Sequence, residues 1–152
     1  MTSFPVEAID KTAAPARSLT VVCVTDQMRC DRIIKAGKLL CELTGSELSV
    51  INVSRTGQMQ DPESIEYLYK VSSQNGAVMT VIYADDVAKA IIKYIKENKV
   101  SYVLTGIPGD DDSVINRIWS RFTHITFFMV EQNGELHEVL HPARAAMALR
   151  QG

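Results

Sequence analysis

Two polar loops carry the residue types that could hold a phosphate. In the first, Gly106-Ile-Pro-Gly109 runs through Asp110, Asp111 and Asp112 to Ser113. Glycine backbones can approach an anion closely, and a hydroxyl at a helix start adds a donor where the helix dipole already favours negative charge. The second loop is Thr25-Asp26-Gln27-Met28-Arg29. The three adjacent aspartates work against simple phosphate binding, because they would repel a polyphosphate unless a divalent cation lay between. Their plainer role is solvated complementation of the helix dipole, at about 0.3 to 1 kcal/mol each. Their functional alternative is to grip Mg²⁺ or a basic partner.

The remaining reactive side chains form no recognisable catalytic set. His137 and His141 are four apart but straddle a strand and Pro142, and His124 lies upstream, so no helix face presents a metal pair. Cys23, Cys30 and Cys41 lack any C-x-x-C spacing and read as reduced thiols. Cys30 stands near Arg29 and Arg32, cations that would favour its thiolate; the plain alternative is a partly covered helix cysteine. There is no Ser-His-Asp order and no G-x-S-x-G elbow, and nothing nominates a nucleophile. The expectation is a chain that is not an enzyme.

The chain has 152 residues, 46% hydrophobic and 22% charged, enough for one domain with a single sizeable core. A formal charge of -2 provides no field to gather nucleic acid or anionic lipid, so neither is an expected partner. No apolar run is long enough to span a membrane, and the first 18 residues carry acids and prolines where a signal core would be apolar. A cytoplasmic location is the expectation.

The loops must be positioned by the elements around them. Leu19 to Val24 is a short, β-branched run suited to a strand buried on both faces. Ile33, Ile34, Gly37, Leu40 and Cys41 mark one face of a helix within 28–44, closed by Gly45. Leu48 to Val53 reads as a second strand, and Asp61-Pro62-Glu63 starts a second helix ending near Gly76. Val78 to Tyr83 gives a third strand, and Asp85-Asp86 cap a helix carrying Val87, Ala88, Ile91, Ile92 and Ile95. Ser101 to Thr105, a helix with Val114, Ile115, Ile118, Trp119 and Phe122 on one stripe, and Ile125 to Val130 complete the alternation. Asn133-Gly134 predicts a two-residue hairpin turn into an antiparallel strand, Leu136 to Leu140.

Repeated β-α units require a parallel sheet covered by helices on both faces. Ligands in such sheets bind beyond the carboxyl ends of the strands where the strand order reverses, here between strands one and four. Both polar loops sit there.

Taken together, the Asp26 loop, Ile51-Asn52-Val53, Tyr83-Ala-Asp-Asp-Val-Ala88, the strand ending in Gly106, and Ser113-Val114 through Arg117 resemble universal stress protein domains. The likeness is closest to the stress-protein domain of KdpD-type sensor kinases and spans about residues 19 to 130. Members that hold ATP carry G-x2-G-x9-G-(S/T) after strand four. Gly106-Ile-Pro-Gly109 reproduces the first half. Counting nine further residues reaches Trp119-Ser120, which leaves too little helix before strand five. Ser113-Val-Ile-Asn-Arg117 instead resembles the family's Ser-Val-x-x-Arg stretch, so the phosphate loop is shorter here, with Asp112 where the glycine would stand.

The resemblance implies an α/β, Rossmann-like, doubly wound five-stranded parallel sheet of the adenine nucleotide alpha hydrolase type, with a C-terminal β-hairpin extension. Residues 19–141 form the domain, 1–18 a loose leader and 142–152 a C-terminal tail. It implies a non-catalytic regulatory domain with ATP or another adenine nucleotide in the crevice, contacted by Thr25, Asp26, Val53, Gly106, Gly109 and Ser113. The alternative is a scaffold that has kept the fold and lost the nucleotide. The family likeness also implies a homodimer through the strand-5 edge, where Phe127, Phe128 and Met129 would otherwise need a covering hairpin.

Overall fold

The computed structural model describes residues 18–106 and 113–139. The first half of the chain alternates β1 (Leu19–Val24), α1 (Asp31–Thr44), β2 (Glu47–Arg55), α2 (Pro62–Gln74) and β3 (Met79–Ala84). The second half continues with α3 (Val87–Glu97), β4 (Val100–Gly106), α4 (Ser113–Trp119), β5 (Thr126–Val130) and β6 (Leu136–Val139). The strands form one sheet in the order β3-β2-β1-β4-β5-β6, parallel from β3 to β5 and antiparallel between β5 and β6. The expected doubly wound parallel sheet with its hairpin extension is therefore present.

Adjacent apolar residues in the central strands serve two different cores, because successive side chains point to opposite faces. Val22, Val50 and Leu104 face α1 and α2, where they meet Ile33, Leu40 and Leu68. Val21, Ile51 and Val103 face the other way, onto Ile91, Ile95 and Ile118 of α3 and α4. This two-sided burial is why the strands read as unbroken apolar runs. Gly37 lets α1 lie close on the sheet: a Cβ there would stand 2.5 Å from Val22 Cγ2.

The helix boundaries follow local chemistry. A 3-10 turn, Met28–Cys30, precedes α1, so the helical pattern that begins at Met28 is not α-helical in its first turn. Gly45 ends α1 with a φ of 77°, and Pro62 opens α2. Asp86 is the N-cap of α3, its side chain accepting from Lys89 N. Helix α4 ends at Trp119, short of Phe122, which enters the core beyond a turn on the way to β5.

The hairpin differs from the expected two-residue turn. Gly134 N donates to Glu131 O and Glu131 N to Glu135 O, and Gly134 alone among the loop residues has positive φ, at 89°. This is a three-residue loop built on a type I turn with a glycine bulge. A primed two-residue turn would need Asn133 in the left-handed region as well. Since β6 pairs with β5, the strand-5 edge proposed for a dimer is already covered, and the sheet's outer strands are β3 and β6. The leader through residue 17 and the tail lie outside the described residues.

Candidate functional site

The sheet splits where its strand order reverses. Strand β1 stays paired with β2 through Val24 and Asn52, but its pairing with β4 stops at Val22 and Leu104. On the other side β4 remains paired with β5 through Gly106 and Val130. The last residues of β1 and β4 therefore diverge and open a crevice of about 360 Å³, within the range of small-ligand sites. Its apolar lining includes Ile51, Val53, Val87, Ile91 and Val114. Thr25, Arg29, Arg32, Thr105 and Gln132 supply its polar groups.

The two arginines reach the crevice from the 3-10 turn and the start of α1, three residues apart. Arg32 is held by backbone: Nε donates to Glu131 O at 2.8 Å, Nη1 to Arg29 O at 2.8 Å and Nη2 to Val130 O at 3.3 Å. It thereby ties α1 to the base of the hairpin. Arg29 Nη1 donates to Gln132 Oε1 at 3.3 Å. Among the described residues neither guanidinium forms an ion pair, which leaves a positive charge at the crevice with donors to spare.

The β1 end of the crevice is fixed by a buried amide. Asn52 is fully buried; its Nδ2 donates to Val24 O at 3.1 Å and its Oδ1 accepts from Gln60 Nε2 at 2.7 Å. Val24 has lost its β4 neighbour, so the side chain of Asn52 satisfies a carbonyl that the split would otherwise leave bare. Cys23 faces the crevice and is only partly covered, yet its apolar surroundings desolvate it and push the thiol up to about 12. Burial thus favours its protonated form. Cys30 is buried with its Sγ 3.4 Å from Thr25 Oγ1.

An adjoining cleft of about 480 Å³ shares Thr25, Val53, Val87 and Val114 with the crevice and holds Asp26, Asp86 and Arg117. Asp26 Oδ2 accepts from Asp61 N at 2.8 Å, bracing the loop after β1 on the start of α2. Arg117 closes on Asp86 through two 3.0 Å hydrogen bonds. The guanidinium beside Asp86 holds its carboxyl below the ordinary value of 3.8.

Of the residues implied by resemblance, Thr25, Val53 and Gly106 line the crevice. Asp26 lies in the neighbouring cleft with its carboxylate already engaged. Ser113 opens α4, while Gly109 and the three aspartates lie outside the described residues. Gly106 has a packing reason for its identity, since a Cβ there would come 3.2 Å from both Arg32 Nη2 and Ile33 Cδ1. To these the structure adds Arg32, Asn52 and Gln132.

No protein-family model matches the sequence, and no curated protein does. Solved structures with a similar fold include universal stress proteins. One from Archaeoglobus fulgidus has a TM-score of 0.53 at 15% identity, covering 75% of this chain and 92% of that one. Another, from Burkholderia pseudomallei, has a TM-score of 0.53 at 15% identity over 74% and 95%. A third, described as the universal stress protein from Archaeoglobus fulgidus in complex with dAMP, has a TM-score of 0.50 at 14% identity over 76% and 96%. At these identities what is shared is the fold: this chain has the Rossmann-like architecture of the universal stress proteins, completed by a β5–β6 hairpin.

Proposed function

We propose that this chain is a universal stress protein-like regulatory domain that binds an adenine nucleotide and does not turn it over. The observation that carries the reading is the split between β1 and β4, which opens an apolar slot with Arg29 and Arg32 at its polar side. An apolar slot suits a planar base, and an arginine suits a phosphate. The dAMP described for a protein of the same fold supports the ligand class. A cytoplasmic, dimeric signalling module resembling the KdpD-type stress-protein domain belongs to the same proposal; sedimentation tests the dimer, whose contact must avoid the covered β5 edge.

The test is thermal denaturation with ATP, ADP, AMP and a cyclic dinucleotide, each with and without Mg²⁺. Binding at a hundredfold excess over Kd adds about 2.7 kcal/mol, a rise in Tm of roughly 5 to 10 °C for a chain of this size. The rise should vanish in Val53→Phe, which fills the slot. No response at millimolar ligand would overturn the reading.

One observation favours a second reading, a scaffold that has kept the fold without the nucleotide. The Asp26 carboxylate is committed to Asp61 N, so that loop is organised by α2 with no ligand needed.

A further inference from the structure

The β5–β6 hairpin brings two carboxylates and an imidazole to one point. Glu131 and Glu135 face each other across the hairpin, joined by the Glu131 N to Glu135 O hydrogen bond. His137 pairs with Met129 two residues further along the ladder. Residues two apart on a strand share a face, so Glu131, Glu135 and His137 all project to the same side. His137 Nε2 lies 3.1 Å from Glu131 Oε2 and 3.9 Å from Glu135 Oε2, and all three ligand atoms lie within 4.8 Å of one another.

Two like charges directly opposite on an antiparallel pair cost stability. A hairpin that places Glu131 against Glu135 therefore gains from a cation between them. The imidazole selects which cation. Carboxylates and water alone suit Mg²⁺ or Ca²⁺, whereas adding a nitrogen ligand shifts the preference to zinc and its neighbours. Around a tetrahedral zinc, with ligand bonds of about 2.0 to 2.2 Å, neighbouring ligand atoms stand roughly 3.3 to 3.5 Å apart. The observed spacings reach this with small rotations of exposed side chains, and water completes the shell.

We propose that Glu131, Glu135 and His137 form a surface site for one divalent transition-metal ion of the zinc class. The backbone is already set for it, because Arg32 Nε holds Glu131 O and the Gly134 turn fixes the register. No second histidine marks the site in the sequence, since the other two ligands are glutamates that the three-residue loop brings opposite one another.

Zinc titration of the chelator-stripped full chain, followed by calorimetry and by the imidazole resonances of its three histidines, tests the site. Expected are one equivalent of Zn²⁺ bound, a response from the His137 ring, and no such response to Mg²⁺. Glu131→Gln with Glu135→Gln should weaken binding by roughly tenfold or more without lowering the melting transition of the metal-free chain, because these side chains are largely exposed and their mutual repulsion is removed. A His137 ring that does not respond to Zn²⁺, or that responds equally in the double variant, overturns the proposal.

Discussion

Arg117 grips Asp86 with both guanidinium nitrogens, Nη1 on Oδ1 and Nη2 on Oδ2, each at 3.0 Å. The same carboxylate caps α3 through Lys89 N, so one side chain starts α3 and anchors α4 to it. Both partners hold the charged form of Asp86, which lowers its carboxyl from 3.8, with Arg117 the larger cause. A lowered carboxyl contributes stability above its unfolded value and loses it as pH falls through the folded value. Asp86→Asn should therefore melt below wild type at pH 6, and the gap should close as the pH drops below about 3.8. A gap independent of pH would mean that capping alone, without the charge, accounts for the role of Asp86. Thermal scans from pH 6 to pH 3 read it directly.

Asn52 is buried among apolar strands and satisfies Val24 O on one side and Gln60 on the other. Leucine has the same branched four-atom outline but strands both partners. Asn52→Leu should cost about 1 to 3 kcal/mol, read as a lower urea midpoint at unchanged slope. A neutral or stabilising result would show that water fills the gap between β1 and β4 and takes over Val24 O.

The Cys23 thiol is raised to about 12 from 9.0 by burial. Thiolate is the reactive form, so alkylation at pH 8 should be roughly a thousandfold slower in the native chain than in urea. The sign for stability is that a raised thiol favours folding below the unfolded value of 9.0 and gives this up as pH rises toward 12. Pulse labelling with iodoacetamide and peptide mass mapping separates Cys23 from the other two cysteines. Equal rates in the two states would place Cys23 in water.

Gly37 sits inside α1, where alanine ordinarily gains about 1 kcal/mol in helix propensity. Here the new methyl would meet Val22 Cγ2 at 2.5 Å and Leu48 Cδ1 at 3.0 Å. Val22 is fully buried and β-branched, so it cannot swing aside without disturbing β1. Overpacking of this kind costs about 1 to 3 kcal/mol, and Gly37→Ala should be destabilised on balance. A higher melting temperature for the variant would mean that the helix shifts outward at little cost.

Much of this architecture is legible in the sequence because each central strand is a β-branched run closed by polar residues, and each helix has its own stop or start. Gly45, Pro62 and Asp86 mark their positions by backbone chemistry alone. The crevice is legible at Thr25, Val53 and Gly106 because the strand order dictates where the sheet must split. Arg32 is not legible as a site residue, because its effect depends on carbonyls about 100 residues away that no local pattern announces. Asn52 carries a signal: an amide inside an apolar strand must find partners, and Val24 O at the split is one of them. The hairpin's loop length is not legible because Asn-Gly suits both two-residue and three-residue turns, and the register of β6 decides between them.

The clamp made by Arg32 leads to a last expectation. Its three donors hold Arg29 O, Val130 O and Glu131 O at once, so one planar group ties the start of α1 to the end of β5 and the hairpin. Lysine keeps the charge but offers a single point of contact. Arg32→Lys should lose roughly 1 to 3 kcal/mol, and the loss should be local. Amide exchange in β6 and at Gln132 should quicken, while β1, β2 and β3 keep their protection, because their pairings and core do not pass through the clamp. Gln132 is also part of the crevice, so any ligand held there should leave faster from the variant even with its apolar floor untouched. Uniform quickening across the whole sheet would instead make Arg32 a part of the global core, and the hairpin would then have no independent motion for a ligand or an ion to control.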